Sequence, residues 1–272
     1  MKLSEKLRTS GFDFKKGLGQ NYIFDEGFLG SVVKDIGLDR DDIVVEVGTG
    51  AGTLTRVIAG RVRSVRTFEL DMRLEKILKE QFKGLENIEL FFEDGLKSTN
   101  IPNEQYKVVA NIPYYITTPL LVKFMRDPNC VEINVLVQQE LGERMVAFSG
   151  TREYGALSIG VQAWGDAFIL REVPRSMFKP QPNVDSVFVQ IVKSDDNGIV
   201  DYGVLEWLVK GLFSSRRKTM LNGLSRVLNI SKDEAKKILD KVGIDENFRP
   251  EEITVPKYIE LTNLVSTKKY KI

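Results

Sequence analysis

Apolar positions along the first half of the chain alternate between two spacings. In "FDEGFLGSVVKDIG", Phe28, Leu29, Val32, Val33 and Ile36 recur at helical spacing, and Gly37 supplies a stop. "DIVVEVG" is a short apolar run of the kind a buried strand needs, with glycines behind it. "GTLTRVIAGRV" then reads as a helix and "SVRTFEL" as a strand ending at Glu69. "MRLEKILKEQF" reads as a helix with a Leu74, Ile77, Leu78 face, and "IELFFED" as a strand ending at Asp94. "YKVVAN" and "EINVLVQ" predict a fourth and a fifth strand, with the helix "TPLLVKFM" between them. Strands alternating with helices of about ten residues imply right-handed crossovers. The expected class is α/β, a parallel sheet with helices on both faces.

The pattern changes after Gly150. "DAFILREV" and "VDSVFVQIVK" read as strands around the proline-rich turn "PRSMFKPQPN", able to form an antiparallel hairpin at the sheet edge. From Tyr202 onward only helices are predicted, around Val204–Phe213, Lys218–Leu228, Lys232–Val242 and Pro256–Leu264. Strand patterning stops within "KSDDNGIVD", where Asp-Asn-Gly supplies turn chemistry. Residues 1–200 are therefore expected to form one domain, with a basic arm over 1–24, and residues 201–272 a small all-helical domain.

Composition removes many chemistries. The chain has one cysteine, Cys130, and no histidine. An intrachain disulfide, zinc sites built from Cys and His, Ser-His-Asp triads and imidazole acid–base steps are all excluded. No metal is expected, and Cys130 in "DPNCVEI" reads as a small buried hydrophobe. No apolar run approaches the ~18 residues of a membrane helix, and the N-terminus lacks the apolar core of a secretory signal. A cytoplasmic location and no membrane partner are the expectation. The net charge of +1 hides a division. Met1–Phe24 carries five basic and two acidic residues, Asp25–Asp201 carries 20 and 27, and Tyr202–Ile272 carries 14 and nine. Basic ends suit a polyanionic partner, although they also serve solubility.

In an open parallel α/β sheet, ligands bind beyond the carboxyl ends of the strands. There the sequence puts "EVGTGAG", Glu69, Asp94 and Asn111. Gly48, Gly50 and Gly52 permit positive φ and close backbone approach. A dinucleotide fingerprint needs a third glycine at position 53, which is Thr, so the observed spacing is the form typical of S-adenosylmethionine binding. Glu69 suits ribose hydroxyls, a feature that NAD enzymes share. Asp94 can accept from an adenine exocyclic amine. Asn111-Ile112-Pro113-Tyr114 resembles the [Asn/Asp]-Pro-Pro-[Tyr/Phe] motif of amino methyltransferases. A nucleobase amine is a poor nucleophile because its lone pair is delocalised. The Asn111 amide oxygen and a nearby main-chain carbonyl can hold its N–H groups, turn the lone pair toward a methyl sulfonium and stabilise the developing positive charge. Tyr114 can stack on the base. Positioning would do most of the work, and no strong base is needed. Cys130 follows Asn129 and so lacks the Pro-Cys context of ring-carbon methylation.

Nearly end to end, the chain resembles the ribosomal RNA adenine dimethylases that modify small-subunit RNA. The blocks that carry the likeness are "KKGLGQNYIFDEGFL", "VVEVGTGAGTLT", "VVANIPYYITTPLL", "REYGALSIGVQ", "VPRSMFKPQPNVDSVFVQI", "FSSRRKTMLNGL" and "RPEEITVPKYIELTN". The resemblance implies a Rossmann-like class I S-adenosylmethionine-dependent methyltransferase sheet with a small helical C-terminal domain. It implies dimethylation of the N6 amines of two adjacent adenosines in the 3′-terminal hairpin loop of 16S rRNA, within a pre-30S particle, by a monomer. Asn21, Ile23, Gly48, Gly50, Glu69, Asp94 and Asn111 fall on donor-binding positions, and Asn111 and Tyr114 on the catalytic motif. Phe178 matches an aromatic that sandwiches the target base. Lys15 and Lys16 in the arm and Arg216, Arg217 and Lys218 in the helical domain are the expected RNA contacts. The chain departs from the family at Ile23 (Leu is frequent), Thr49 (Pro is frequent) and Tyr115 (Asn is frequent). Two alternatives share the fold: a large-subunit rRNA methylase of the macrolide-resistance type, and a non-catalytic assembly or transcription factor. The "YGALSIGVQ" and "SRRKTMLNGL" blocks favour the small-subunit group, and intact Asn111, Glu69 and Asp94 favour an active enzyme.

Overall fold

The structure is a computed structural model that describes residues 21–112, 116–195, 198–199 and 201–267. Lys15, Lys16 and Tyr114 lie outside the described residues. The elements run β1 (Tyr22–Ile23), α1 (Glu26–Ile36), β2 (Ile43–Val47), α2 (Thr53–Ala59), β3 (Ser64–Phe68), α3 (Glu75–Gln81), β4 (Ile88–Phe91) and β5 (Tyr106–Asn111). They continue with α4 (Thr117–Arg126), β6 (Cys130–Gln138), α5 (Gln139–Val146), α6 (Ala156–Trp164), β7 (Gly165–Val173), β8 (Phe178–Lys179) and β9 (Ser186–Lys193). Four helices close the chain: α7 (Tyr202–Phe213), α8 (Met220–Leu228), α9 (Lys232–Val242) and α10 (Val255–Thr267).

Local chemistry sets these boundaries. The Asp25 carboxylate accepts from the Phe28 N–H at the start of α1, and Gly37 ends that helix at φ 80°. Ser231 and Glu234 cap α9 reciprocally, and Gly243 closes it in the left-handed region. All five residues of β2 are buried, as a strand covered on both faces requires.

The larger sheet has the order β4-β3-β2-β5-β6-β9-β7. The pairs β2–β3, β2–β5, β3–β4 and β5–β6 are parallel, as the alternating pattern predicts, and β6–β9 is antiparallel. Strand order reverses between β2 and β5, so the crevice beyond their carboxyl ends is the topological switch point. A two-stranded sheet pairs β1 with β8 antiparallel, with Ile23 opposite Phe178.

By contact the chain forms two compact units. The first runs to Gly142 and takes in Phe168–Val192; the second joins Glu143–Ala167 to the chain from Lys193 onward. This differs from the expected division into 1–200 and 201–272, because Glu143–Ala167 also belongs to the second unit. The reason lies in its core, where Tyr154, Ile159 and Ala163 pack with Leu205, Leu208, Leu239, Tyr258 and Leu261. The Tyr154 hydroxyl donates to the Ile253 carbonyl at 2.8 Å. The helices α5 and α6 are absent from the sequence reading, whereas α7 to α10 lie where periodicity predicts them.

Candidate active site

One cavity in the first unit opens at the switch point. Counting its open mouth, it encloses about 980 Å³. Asn21, Ile23, Gly48, Gly50, Glu69, Asp94 and Asn111 all line it, so every described donor-site residue expected from the sequence shares one surface. Asp94 is not at a strand end as expected. β4 stops at Phe91, and Asp94 sits in the loop beyond it.

The glycine loop requires its glycines. Gly48 and Gly50 have φ 88° and 56°. A Cβ on Gly50 would meet the Tyr22 ring at 2.8 Å, so β1 lies directly on the loop. The Glu69 carboxylate fixes the loop from below. Its oxygens accept from the Gly50 N–H at 2.7 Å and the Asp71 N–H at 2.8 Å. Burial raises the pKa of Glu69 against the lowering effect of these backbone bonds, the one from Asp71 foremost. A carboxylate offers about four lone-pair directions, so Glu69 anchors the loop and keeps acceptor capacity beyond these two bonds.

Asp94 is held through the Leu96 N–H, which donates to its Oδ1 at 3.0 Å. Asn111 ends β5, and its Nδ2 donates to the Asn21 carbonyl at 2.9 Å. That partner assigns the amide orientation and leaves Oδ1 as the acceptor.

Sequence reasoning missed Glu46. It is fully buried in β2 and lines the cavity. Its Oε2 accepts from the Thr55 and Thr67 hydroxyls, both at 2.6 Å. Thr67 gives its proton to Glu46, so Thr49 is the donor in the 2.6 Å Thr49–Thr67 contact. Glu46 Oε1 and the buried Thr53 hydroxyl have no hydrogen-bond partner among the described residues. Burial pushes the Glu46 carboxyl up to about 8, opposed by the two hydroxyl bonds and assisted by the charge of Glu69. The available signal was an acid in the middle of an apolar strand.

Two further expected groups are not among the residues that line this cavity. Phe178 is 2% exposed and packs in the core cluster that contains Ile23 and Val173. Its backbone pairs opposite Ile23 of β1, and its ring is covered by that cluster. Arg216, Arg217 and Lys218 are exposed on the second unit. Arg216 donates to the Tyr154 carbonyl at 3.2 Å and lies 3.9 Å from Glu251. Among the described residues, no group of three His, Cys, Asp or Glu is placed to hold a metal ion, and no helix is long and apolar enough to cross a membrane.

A mostly parallel sheet with a glycine loop, Glu69, Asp94 and Asn111 around its switch point defines a Rossmann-like class I methyltransferase. Solved structures that the chain resembles agree. A dimethyladenosine transferase from Plasmodium falciparum superposes with a TM-score of 0.81 at 25% identity, covering 91% of this chain and 98% of that one. The 23S rRNA methyltransferase ErmE gives 0.71 at 25% identity, covering 90% and 100%. The ribosomal RNA adenine dimethylase family model matches residues 11–266. The chain belongs to that family and is a methyltransferase. It is 38% identical to the ribosomal RNA small subunit methyltransferase A of Clostridioides difficile, over 97% of this chain and 95% of that protein. It is 36% identical to the protein of the same name in Geobacillus kaustophilus, over 96% and 94%.

Proposed function

We propose that the chain uses S-adenosylmethionine to dimethylate the N6 amines of two adjacent adenosines in the 3′-terminal hairpin loop of 16S rRNA, acting on a pre-30S particle in the cytoplasm as a monomer. The observation that carries this reading is the tethered Asn111 amide. It turns an oxygen acceptor into the same cavity that Glu69 and Asp94 line.

The cavity suits the donor on its own chemistry. Glu46 Oε1 and Thr53 Oγ1, buried and without partners among the described residues, suit the charged amino-acid end. Glu69 suits the ribose hydroxyls and Asp94 the adenine amine. The donor supplies an electrophilic methyl group on a sulfonium. Asn111 Oδ1 accepts an N–H of the target amine, holds its lone pair in line and stabilises the positive charge that develops on nitrogen. Tyr114 supplies a stacking face for the base, and the role of Phe178 as a second face requires its ring to be uncovered. Lys15, Lys16, Arg216, Arg217 and Lys218 bind phosphates, which position RNA without reading its sequence.

Relatives at 36–38% identity that bear the small-subunit name support this substrate over a large-subunit one. The test is transfer of labelled methyl groups to 30S particles, 50S particles and naked rRNA, with the product located by mass spectrometry. Two dimethylated adenosines in the small-subunit 3′ hairpin are expected. Label confined to 50S RNA, or no transfer at all, would overturn the reading.

A further inference from the structure

We propose that Lys123 is a positioning residue for recognition of the donor's adenine amine, acting through the loop that carries Asp94. The proposal rests on the donor reading above and adds to it a residue outside the cavity lining.

Lys123 lies on α4, the helix that follows the Asn111 strand end. Its ammonium donates to the carbonyls of Gly95 at 2.8 Å and Ser98 at 2.7 Å. These carbonyls belong to one tight turn. The Asp94 carbonyl accepts from the N–H groups of Lys97 and Ser98, both at 2.9 Å. Asp94 Oδ1 accepts from the Leu96 N–H within the same turn. Lys123 therefore closes the carbonyl end of the turn whose first residue is Asp94.

The other side of the turn is closed by packing. A Cβ on Gly95 would meet Val47 Cγ1 at 2.9 Å and Phe68 Cβ at 3.2 Å. The turn is thus pressed on the ends of β2 and β3 and held back by one side chain from α4. No other strand pairs with this segment, because β4 has already ended at Phe91. Without the ammonium, two carbonyls in a half-buried place lose their charged donor, and the direction of Asp94 then rests on the bonds within its own loop and the packing of Gly95 alone. A hydrogen bond between a carboxylate and one exocyclic amine is sensitive to that direction, because it weakens steeply as its angle departs from linear. Contacts to the ribose are assigned to Glu69 and those to the amino-acid end to Glu46 and Thr53, whereas the Lys123 ammonium bonds to Gly95 and Ser98.

That separation makes the role measurable. Binding of S-adenosylhomocysteine is compared with that of its 6-oxo analogue, S-inosylhomocysteine, in wild type, Lys123→Met and Lys123→Arg. Wild type is expected to prefer the amino ligand by about tenfold, the worth of one charge-assisted hydrogen bond. Lys123→Met should lose that preference, weakening the amino ligand about tenfold and leaving the 6-oxo ligand unchanged. Lys123→Arg keeps donors at the site and should restore part of it. Should the methionine variant fail to fold in a thermal melt, Lys123→Gln, with an uncharged donor, should show the same loss at smaller size. Equal weakening of both ligands, or an unaltered preference, overturns the proposal. Wild type that binds neither ligand sinks the donor reading itself. Wild type that binds both alike removes the Asp94 role and this inference with it.

Discussion

Replacing Glu46 with glutamine should change how stability depends on pH more than it changes stability itself. Glu46 is 0% exposed in β2, and burial pushes its carboxyl from an ordinary 4.5 up to about 8. The folded protein therefore keeps this proton through neutral pH, whereas the unfolded chain loses it near the ordinary value. Between the two values the folded state binds more protons, so stability falls as pH rises. The contribution is fully present below about pH 4.5 and lost above about pH 8, and its full span is on the order of 5 kcal/mol. Glutamine has the same shape and no charge. Its amide oxygen can accept from Thr55 and Thr67 as Glu46 Oε2 does, so it removes the titration and leaves the packing.

Urea unfolding of both proteins at several pH values between about 5 and 8.5 isolates Glu46 and its coupling to Glu69, because titrations that do not interact with it cancel in the difference. Wild type should lose ground to Glu46→Gln by on the order of 1 kcal/mol per pH unit through the window. A wild-type-minus-variant difference that stays flat with pH refutes the reasoning. The same proton provides a second readout. A cationic ligand group beside Glu46 Oε1 favours the ionised carboxylate, so donor binding near pH 7 should release about one proton in wild type and none in the variant. Calorimetry in buffers of different ionisation enthalpy measures that number.

Glu69→Ala should cost on the order of 1–3 kcal/mol of S-adenosylmethionine affinity, since it removes a ligand acceptor and frees the Gly50 N–H; unchanged affinity by calorimetry would dismiss the assignment. Arg217→Ala with Arg216→Ala should weaken RNA binding and make its salt dependence shallower by about one to two units of slope, with donor affinity unmoved. Arg216 also holds the Tyr154 carbonyl, so Arg217→Ala with Lys218→Ala is the cleaner pair, and an unchanged slope in that pair would take this cluster off the RNA surface. Asn111→Ala should slow single-turnover methylation by roughly 100-fold or more while donor affinity changes less, and a near-normal rate would refute the catalytic role.

What the sequence disclosed depended on the range of the interactions involved. β5 over Tyr106–Asn111 and α9 over Lys232–Val242 follow from local periodicity and caps, and both lie where the pattern predicts. α6 does not. "ALSIGVQAW" is apolar on most sides because it is buried in the second unit, so it shows no stripe to read. Its membership of that unit depends on partners about a hundred residues ahead, such as Ile253 for Tyr154, and no local pattern encodes them. The cavity residues were legible because strand order in a parallel sheet brings four strand ends together whatever the side chains do. The tethers were not. Glu46 meets Thr55 and Thr67, and Lys123 meets Gly95 and Ser98, across gaps that only the folded register closes. Phe178 depends on the same register. The motif identifies the residue type, but pairing of β8 with β1 decides where its ring goes.

A chain without histidine has few ways to move protons, and the geometry explains why it needs few. Four polar groups around the cavity are each fixed by a neighbour that asks nothing of the ligand. Glu69 is fixed by two backbone N–H groups, Asp94 by one, Glu46 by two hydroxyls and Asn111 by a backbone carbonyl. Groups held in this way require no reorganisation as charge develops, which is where electrostatic preorganisation gains its effect. The Asn111 tether also explains the choice of side chain. An aspartate there would accept from an amine equally well, but it would set a carboxylate oxygen against the Asn21 carbonyl with no hydrogen between them. Asparagine is the residue of that size that can donate backward to the chain and accept forward from a base in one orientation. The direction of Oδ1 is therefore set by Asn21, the residue before β1, whose Tyr22 lies on the glycine loop. The glycine loop and the Asn111 amide share one support, and a shift of β1 would disturb both.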